Sequence, residues 1–388
     1  MSGFPNNRIA PRVAIVHDWL LTHGGAERTL EAILPLFPQA PIYTMVYAPQ
    51  EFRSSSISER AVQTSYIDRL PFSHEAHRWY LLLMTHAVRR FDLRDFEIVI
   101  SISHAIAHGV RIHPGQLHIN YILTPARYAW HQREDYLTSW GLRARLAQGF
   151  LCYFRRRDRK ASREVHAFVA ISKWIADNVQ RAYKCPVDCI IYPPVDTEKF
   201  FAAARRDDYY IVVSRLVPNK HVDLIVSAFN QLALPLIVVG EGLEKNKLMR
   251  IAAPNIRFLD RQSDKDVRQL LSKAKAFIHI SREDFGIAPV EAQAAGCPVI
   301  AFAGGALSET IRNGETGILF EDQTVSSLVR AVERFESNPA MFSSRKIAGL
   351  ADRFSLSRFQ TEFSAFIWSA WQTHQANQSH DDLELHTG

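Results

Sequence analysis

Four cysteines in 388 residues, Cys152, Cys185, Cys189 and Cys297, are too few to staple a chain of this length. That excludes a disulfide framework and points to a reducing cytoplasm. Long hydrophobic runs are also missing. Tyr80–Met84 and Phe96–Ile102 are the longest, far short of the ~20 residues that span a bilayer. The first twelve residues lack the apolar core of a secretory signal. No G-x-G-x-x-G or P-loop pattern occurs, which removes the nicotinamide and Walker fingerprints. Charge of one sign is scarce: 46 Lys and Arg against 40 Asp and Glu leave +6.

What is present is a globular composition, 47% hydrophobic and 22% charged, in a chain long enough for two or three domains. Short, continuously apolar runs alternate with helical patterns. Strands are predicted at 13–16, 42–46, 97–102, 118–123, 167–171 and 187–192, with a helix from Ala26 to about Leu36. Continuous apolarity suits strands covered on both faces, hence parallel sheets in a doubly wound α/β architecture. Tyr192-Pro193-Pro194-Val195-Asp196 interrupts the series. A second series follows at 210–214, 236–239, 256–259, 276–280, 298–303 and 317–320. The expected division is a Rossmann-like domain over 1–195 and a second over 196–354. A helix over 355–374 carries Phe359, Phe363, Phe366, Ile367 and Trp371 on one face, and a disordered polar tail over 375–388 follows.

Three constellations follow strands, where ligands of open α/β sheets bind. Ser281 to Glu291 places Glu283 at a strand's carboxyl edge and Glu291 in the helix that Phe285-Gly286-Ile287 opens. Free N–H groups at such a helix start favour an anion, and carboxylates beside it can hold sugar hydroxyls. Arg215 and Lys220 are two cations that can meet one anionic group. Gly24-Gly25 lies between the first strand and its helix, where backbone can approach a ligand. Each alone also reads as an ordinary turn or solvated surface.

Together these residues resemble the retaining GT-B glycosyltransferases of group 4. Glu283 to Glu291 fits their E-x7-E pattern, Arg215 and Lys220 their Arg…Lys pair, and Gly24-Gly25 their glycine loop; the resemblance runs from about residue 12 to 370. His17-Asp18-Trp19-Leu20, Gly24 to Arg28 and Thr124 to Trp130 are similar to the bacterial mannosyltransferases of O-antigen and exopolysaccharide assembly. The resemblance implies two Rossmann-like domains facing a cleft, with the acceptor on the first and the donor on the second. It implies transfer from a nucleotide sugar, GDP-mannose, to a polyprenyl-diphosphate-linked glycan in cell-surface polysaccharide (lipopolysaccharide) synthesis. Arg215 and Lys220 would neutralise the departing diphosphate. Glu283 would hold donor-sugar hydroxyls, Glu291 the ribose, and backbone at Gly25 and Phe285-Gly286-Ile287 the phosphates and sugar. No cofactor and no divalent metal are needed on this reading, and no covalent nucleophile is assigned.

Relatives often carry a histidine just before Thr124-Pro125, where this chain has Leu123. His104, after a different strand, is the candidate to face the cleft instead. His104 and His108 have the i,i+4 spacing of helix metal ligands but lack an intervening Glu and a third ligand, so no metal is expected. Two basic stretches, Arg69 to Arg94 and Arg143 to Arg163, interleave Arg and Lys with aromatic and aliphatic residues. They read either as core-facing helices with solvated basic backs or as surfaces for an anionic membrane. The protein is therefore expected to be cytoplasmic and peripheral on the inner membrane face. A GT-B-fold sugar-nucleotide epimerase is an alternative. A basic nucleic-acid binder, suggested by the pI near 9.1 and Arg155–Lys160, leaves the Glu283/Glu291 spacing unexplained; no nucleic-acid partner is expected.

Overall fold

A computed structural model describes residues 11–130 and 142–386, with side chains of 142–147 and 380–386 excepted. The chain divides into two compact units. One comprises the residues up to Ile191 together with those from Gln360 onward, and the other is Tyr192–Phe359.

The first unit is built on a seven-stranded sheet of order β3-β2-β1-β4-β5-β6-β7. Its strands are β1 (Val13–His17), β2 (Ile42–Thr44), β3 (Val62–Thr64), β4 (Ile98–Ser103), β5 (Leu117–Ile122), β6 (Ala167–Ala170) and β7 (Cys189–Ile190). Every pairing is parallel. β1, β4, β5 and β6 are buried along their whole length, which is why they read as largely apolar runs. The edge strand β3, with exposed Gln63 and Thr64, escaped the sequence reading because it buries no run of its own. β7 is shorter than expected, since Pro186 and Pro193-Pro194 bracket it.

The second unit repeats the plan with six parallel strands in the order β10-β9-β8-β11-β12-β13. They are β8 (Tyr210–Val213), β9 (Leu236–Val239), β10 (Ile256–Leu259), β11 (Ala276–His279), β12 (Val299–Phe302) and β13 (Gly317–Phe320). In both sheets strand order reverses direction at one place: between β1 and β4, and between β8 and β11. Such switch points open a crevice beyond the strands' carboxyl ends. The α/β class with two doubly wound, Rossmann-like domains is thus what the chain adopts.

The helix Leu356–His386 runs on past Gln375, taking in most of the segment expected to be a disordered tail. Residues 375–386 contain neither Gly nor Pro, and Ala, Gln, Leu and Glu favour helix. Phe359, Phe363 and Ile367, four residues apart, are fully buried. Phe363 meets Tyr121 edge-on at 5.6 Å, and Gln360 donates to the Ala32 carbonyl at 3.0 Å, tying this helix to the first unit.

Hydrophobic patterning could not show the polar ladder buried between β4 and β5. Asn120 Nδ2 donates to Ser101 Oγ at 2.8 Å and Ser103 Oγ at 3.0 Å, and Ser101 Oγ lies 2.8 Å from His118 Nε2. Burial lowers the His118 pKa to about 3, so it stays neutral in the fold. Below pH 6.5 the unfolded chain gains a proton there that the folded chain refuses. Stability therefore falls as pH drops from 6.5 toward 3, by ~1.4 kcal/mol per pH unit. Urea unfolding at pH 5 should show about 2 kcal/mol less stability from this group than at pH 7. His118→Gln should flatten that share of the pH dependence; an unchanged slope would contradict it.

Candidate functional site

At the switch point of the second unit the chain leaves β8 through Ser214-Arg215-Leu216-Val217. It makes a tight turn at Pro218–Lys220 and enters the helix Val222–Leu232 through His221, which is left-handed at φ 50°. Leu216 is fully buried and anchors the loop. The neighbouring Gly240-Glu241-Gly242 loop clamps it, with Leu216 N donating to the Glu241 carbonyl at 2.8 Å. A Cβ at Gly240 would lie 1.9 Å from the Ser214 carbonyl oxygen, so only glycine allows that approach.

Beyond β11 the chain runs through Ser281 to Glu283, Phe285-Gly286 and the helix Ile287–Ala294. Lys220 Nζ reaches Glu283 Oε1 at 2.5 Å. The same oxygen lies 2.8 Å from Ser281 Oγ, which donates to it, and 3.1 Å from His279 Nε2. Ser281 Oγ and His279 Nε2 are themselves 2.9 Å apart. Burial alone would raise the Glu283 pKa, but the His279 hydrogen bond and the charges of His279 and Lys220 outweigh it, holding the carboxyl below the ordinary carboxylate range. Glu283 is an anion whose Oε1 is fully engaged. Among the described residues no hydrogen bond falls on its Oε2, which leaves that oxygen to accept from an incoming hydroxyl. His279 and Ser281 were missed in the sequence because they sit on a strand end that reads as buried core; their H-x-S-x-E spacing was the available signal.

Gly305 fixes the carboxylate's backbone. Ala306 N donates to the Glu283 carbonyl at 2.8 Å. Gly305 has φ +74°, and a Cβ there would sit 2.0 Å from that carbonyl oxygen. Phe285 is buried, stacked on Tyr192 at 5.9 Å and edge-on to Phe354 at 5.4 Å. Its ring anchors the loop, leaving backbone at 285–287 for any ligand. Gly286 is left-handed at φ +92°, and Ile287 starts the helix. Glu291 is half-buried on that helix. Arg215 is exposed, with no ion pair among the described residues.

The remaining candidates lie in the first unit. Asp18, fully buried just beyond β1, accepts four backbone N–H groups from the loop after β4. Oδ2 takes His104 (2.6 Å) and Ala105 (2.8 Å); Oδ1 takes Ile106 (2.7 Å) and Ala107 (2.6 Å). His104 Nδ1 stands 3.0 Å from the same carboxylate, and its ring packs edge-on to Trp19 at 4.6 Å. Burial raises the Asp18 pKa, but the His104 charge and these hydrogen bonds bring it below its ordinary value. His108 instead pairs with Asp158 at 3.0 Å, both buried, so His104 and His108 serve different carboxylates. Among the described residues no cluster suits a metal ion. Gly24 is ordinary extended backbone at φ −137°, opening the helix Gly25–Ile33, and Glu27 folds back to accept its N–H at 2.9 Å. His17 Nδ1 hydrogen-bonds the Trp19 carbonyl oxygen at 3.1 Å.

The two basic stretches are absorbed by packing in part. Leu151 and Phe154 of the helix Leu142–Ser162, and Leu81 and Met84 of the helix Leu81–Ala87, are core residues. Arg155 and Arg159 lie over the Trp130 ring, whose Nε1 donates to Asp158 Oδ2 at 2.7 Å. The side chains of Arg143 and Arg145 lie outside those described.

Two variants test these assignments. Gly305→Ala, forced into left-handed backbone against a carbonyl, should cost about 2 kcal/mol or more in urea unfolding. Asp18→Ala strands four buried donors and should cost more than about 3 kcal/mol. Wild-type stability in either would refute the corresponding reading.

Residues 196–350 match the family model described as glycosyl transferases group 1, and residues 23–199 that described as glycosyltransferase family 4. Over 154 residues the chain is 33% identical to a GDP-mannose-dependent monoacylated alpha-(1-6)-phosphatidylinositol monomannoside mannosyltransferase of Corynebacterium glutamicum. That match covers 36% of this chain and 40% of the relative, less than half its length. Among solved structures, the chain is similar to the sucrose-phosphate synthase of Thermosynechococcus elongatus (TM-score 0.73, 15% identity, 94% of this chain and all of that one). It is also similar to HepE of Anabaena, solved in complex with UDP (TM-score 0.69, 15% identity, 92% of this chain and all of that one). These likenesses give the fold, GT-B.

Proposed function

We propose, from the matches of residues 23–199 to the glycosyltransferase family 4 model and of residues 196–350 to the group 1 model, that the protein transfers a sugar from a nucleotide-sugar donor with retention at the anomeric carbon. The donor is GDP-mannose, and the acceptor is a polyprenyl-diphosphate-linked glycan at an anionic membrane surface. The observation that carries the reading is the Glu283 cluster with Lys220 at the switch point of the second unit. The likeness to a GDP-mannose-dependent enzyme supports the mannosyl donor.

In this mechanism Lys220 and the exposed Arg215 meet the diphosphate and offset the charge that grows as it departs. Glu283, kept ionised by Lys220 and His279 and with Oε2 open, accepts hydrogen bonds from hydroxyls of the donor sugar. Glu291, on the helix that follows, takes the ribose. Backbone N–H groups of residues 285–287 face the phosphates at the start of that helix. The two cations supply charge that a divalent ion would otherwise supply, so turnover should survive EDTA. No helix among the described residues is long and apolar enough to cross a membrane, which suits peripheral attachment.

Thermal-shift screening against a nucleotide panel tests the donor. GDP or GDP-mannose at a hundredfold excess over Kd should stabilise by about 2.7 kcal/mol, and a larger shift with a UDP-sugar would replace the donor. Glu283→Ala should lower kcat by roughly 10²–10³ with the melting curve retained, and Lys220→Ala should do likewise. Near-normal transfer by Glu283→Ala would remove that residue from the mechanism. Sugar release or epimerisation by the wild type without acceptor would overturn transfer itself.

A further inference from the structure

The first unit contains a cavity of about 430 Å³ lined by His86, Arg89, Arg90, Arg111 and Arg157. Four guanidiniums around one hollow repel one another unless an anion sits among them. Arg89 is offset by Glu164 at 2.9 Å. Arg90, Arg111 and Arg157 have no acidic partner among the described residues; Arg90 lies over the Tyr66 ring and Arg157 over the Tyr153 ring. Aromatic faces hold these two planes in place without neutralising them.

A cavity in the second unit shows what a settled charge cluster looks like. It is lined by Arg205, Arg206, Asp207, Asp208 and Lys275 among others. There Lys275 pairs with Asp208 and Glu336, and Arg206 donates to the carbonyls of Gly296 and Phe342. Two carboxylates of its own lining, Asp207 and Asp208, stand among its cations, whereas the arginine cavity is lined by no acidic residue.

The surroundings of the arginine cavity indicate where its anion comes from. Trp79 is 81% exposed, Leu83 47% and Leu82 37%. Trp79 stands in the turn before the helix Leu81–Ala87, Leu82 and Leu83 lie in its first turn, His86 in its last, and Arg89 and Arg90 in the turn that follows it. The exposed apolar residues and two of the cavity's arginines thus belong to one continuous segment, residues 77–90. Tyr153, half exposed, stands one turn from Arg157 on the other wall. A soluble phosphate would give the cations a partner but leave the strip in water. A phosphate attached to acyl chains uses both.

Position separates this cavity from the transfer site. Arg89 and Arg90 close the segment that leads into the amino end of β4, and Arg157 lies in the last turns of the helix leading into the amino end of β6. The sheet's ligand crevice lies beyond the opposite, carboxyl ends of its strands.

We propose that this cavity binds the phosphate of an anionic membrane lipid while Trp79, Leu82 and Leu83 enter the interface beside it. The proposal rests on the membrane-surface reading above and gives it a specific headgroup site. Arg90 and Arg111 are both exposed, so Arg90→Ala/Arg111→Ala should fold. The full chain is sedimented with phosphatidylcholine vesicles with and without phosphatidylglycerol. Wild type should bind only the anionic vesicles. Each basic side chain near such a surface contributes about fivefold, so the double variant should bind about 25-fold more weakly. Trp79→Ser/Leu83→Ser should also weaken it, while Arg257→Ala/Arg261→Ala, equal in charge but in the second unit, should not.

Equal losses in the two arginine pairs would mean diffuse attraction and overturn the site. Inorganic diphosphate that stabilises wild type but not Arg90→Ala/Arg111→Ala, with no binding of anionic vesicles, would mean a soluble ligand and overturn the lipid. Stabilisation by GDP, read in parallel on the same variants, reports the second unit alone. Loss of the donor reading would appear there while the vesicle result stands.

Discussion

A buried carboxylate at the switch point of each sheet is the constraint on which the candidate site depends. Taking a carboxylate out of water is costly unless donors replace the lost hydration. The two units meet that demand differently. Asp18 uses both oxygens, each on two backbone N–H groups, and so fixes the loop after β4. Glu283 concentrates its three protein partners, Lys220, Ser281 and His279, on one oxygen. A saturated carboxylate is structure; a half-saturated one beside a cation is ready to bind. The contrast separates two residues that their positions after β1 and β11 make look alike.

Readiness requires that the half-saturated carboxylate not relax onto other partners, and glycine supplies part of that rigidity. Gly305 lets the chain after β12 approach the Glu283 carbonyl, and Gly240 and Gly242 let a second loop press on Ser214–Leu216. The backbone of Glu283 and of the loop leading to Lys220 is thereby held by close contacts that no side chain allows. Backbone held this closely pre-organises a charged site before its ligand arrives.

The sequence made the sheets legible because strands covered on both faces must be mostly apolar, and β1, β4, β8 and β11 are. It made Glu283, Glu291, Arg215 and Lys220 candidates because they follow strands, where ligands of open α/β sheets bind, and because their spacing resembles that of a known family. It hid whatever depends on pairing across strands. Ser101, Ser103, His118 and Asn120 look like interruptions of a core until β4 and β5 align them. The inward turn of Arg155 and Arg159 onto Trp130 could not be told from a solvated basic face, because spacing along one helix says nothing of the ring that waits beside it. The length of the final helix was misjudged for a different reason: polarity was taken for disorder where helix propensity decides.

The loop between β4 and β5 shows how the two kinds of information combine. Asp18 holds its first half through backbone, and Asp158 holds its second through His108, which ties it to the helix Leu142–Ser162. Burial lowers the His108 pKa, but the Asp158 hydrogen bond and charge raise it further, and the net direction is upward. The stability from this contact is therefore full below the unfolded histidine value of about 6.5 and is lost as pH rises through the higher folded one. His17 runs the other way, since burial outweighs the pull of Glu27 and keeps it neutral. The two halves of the loop thus rest on separate carboxylates, Asp18 and Asp158. That suits a segment that must hold both a switch-point histidine and the helix whose Arg157 lines the basic cavity.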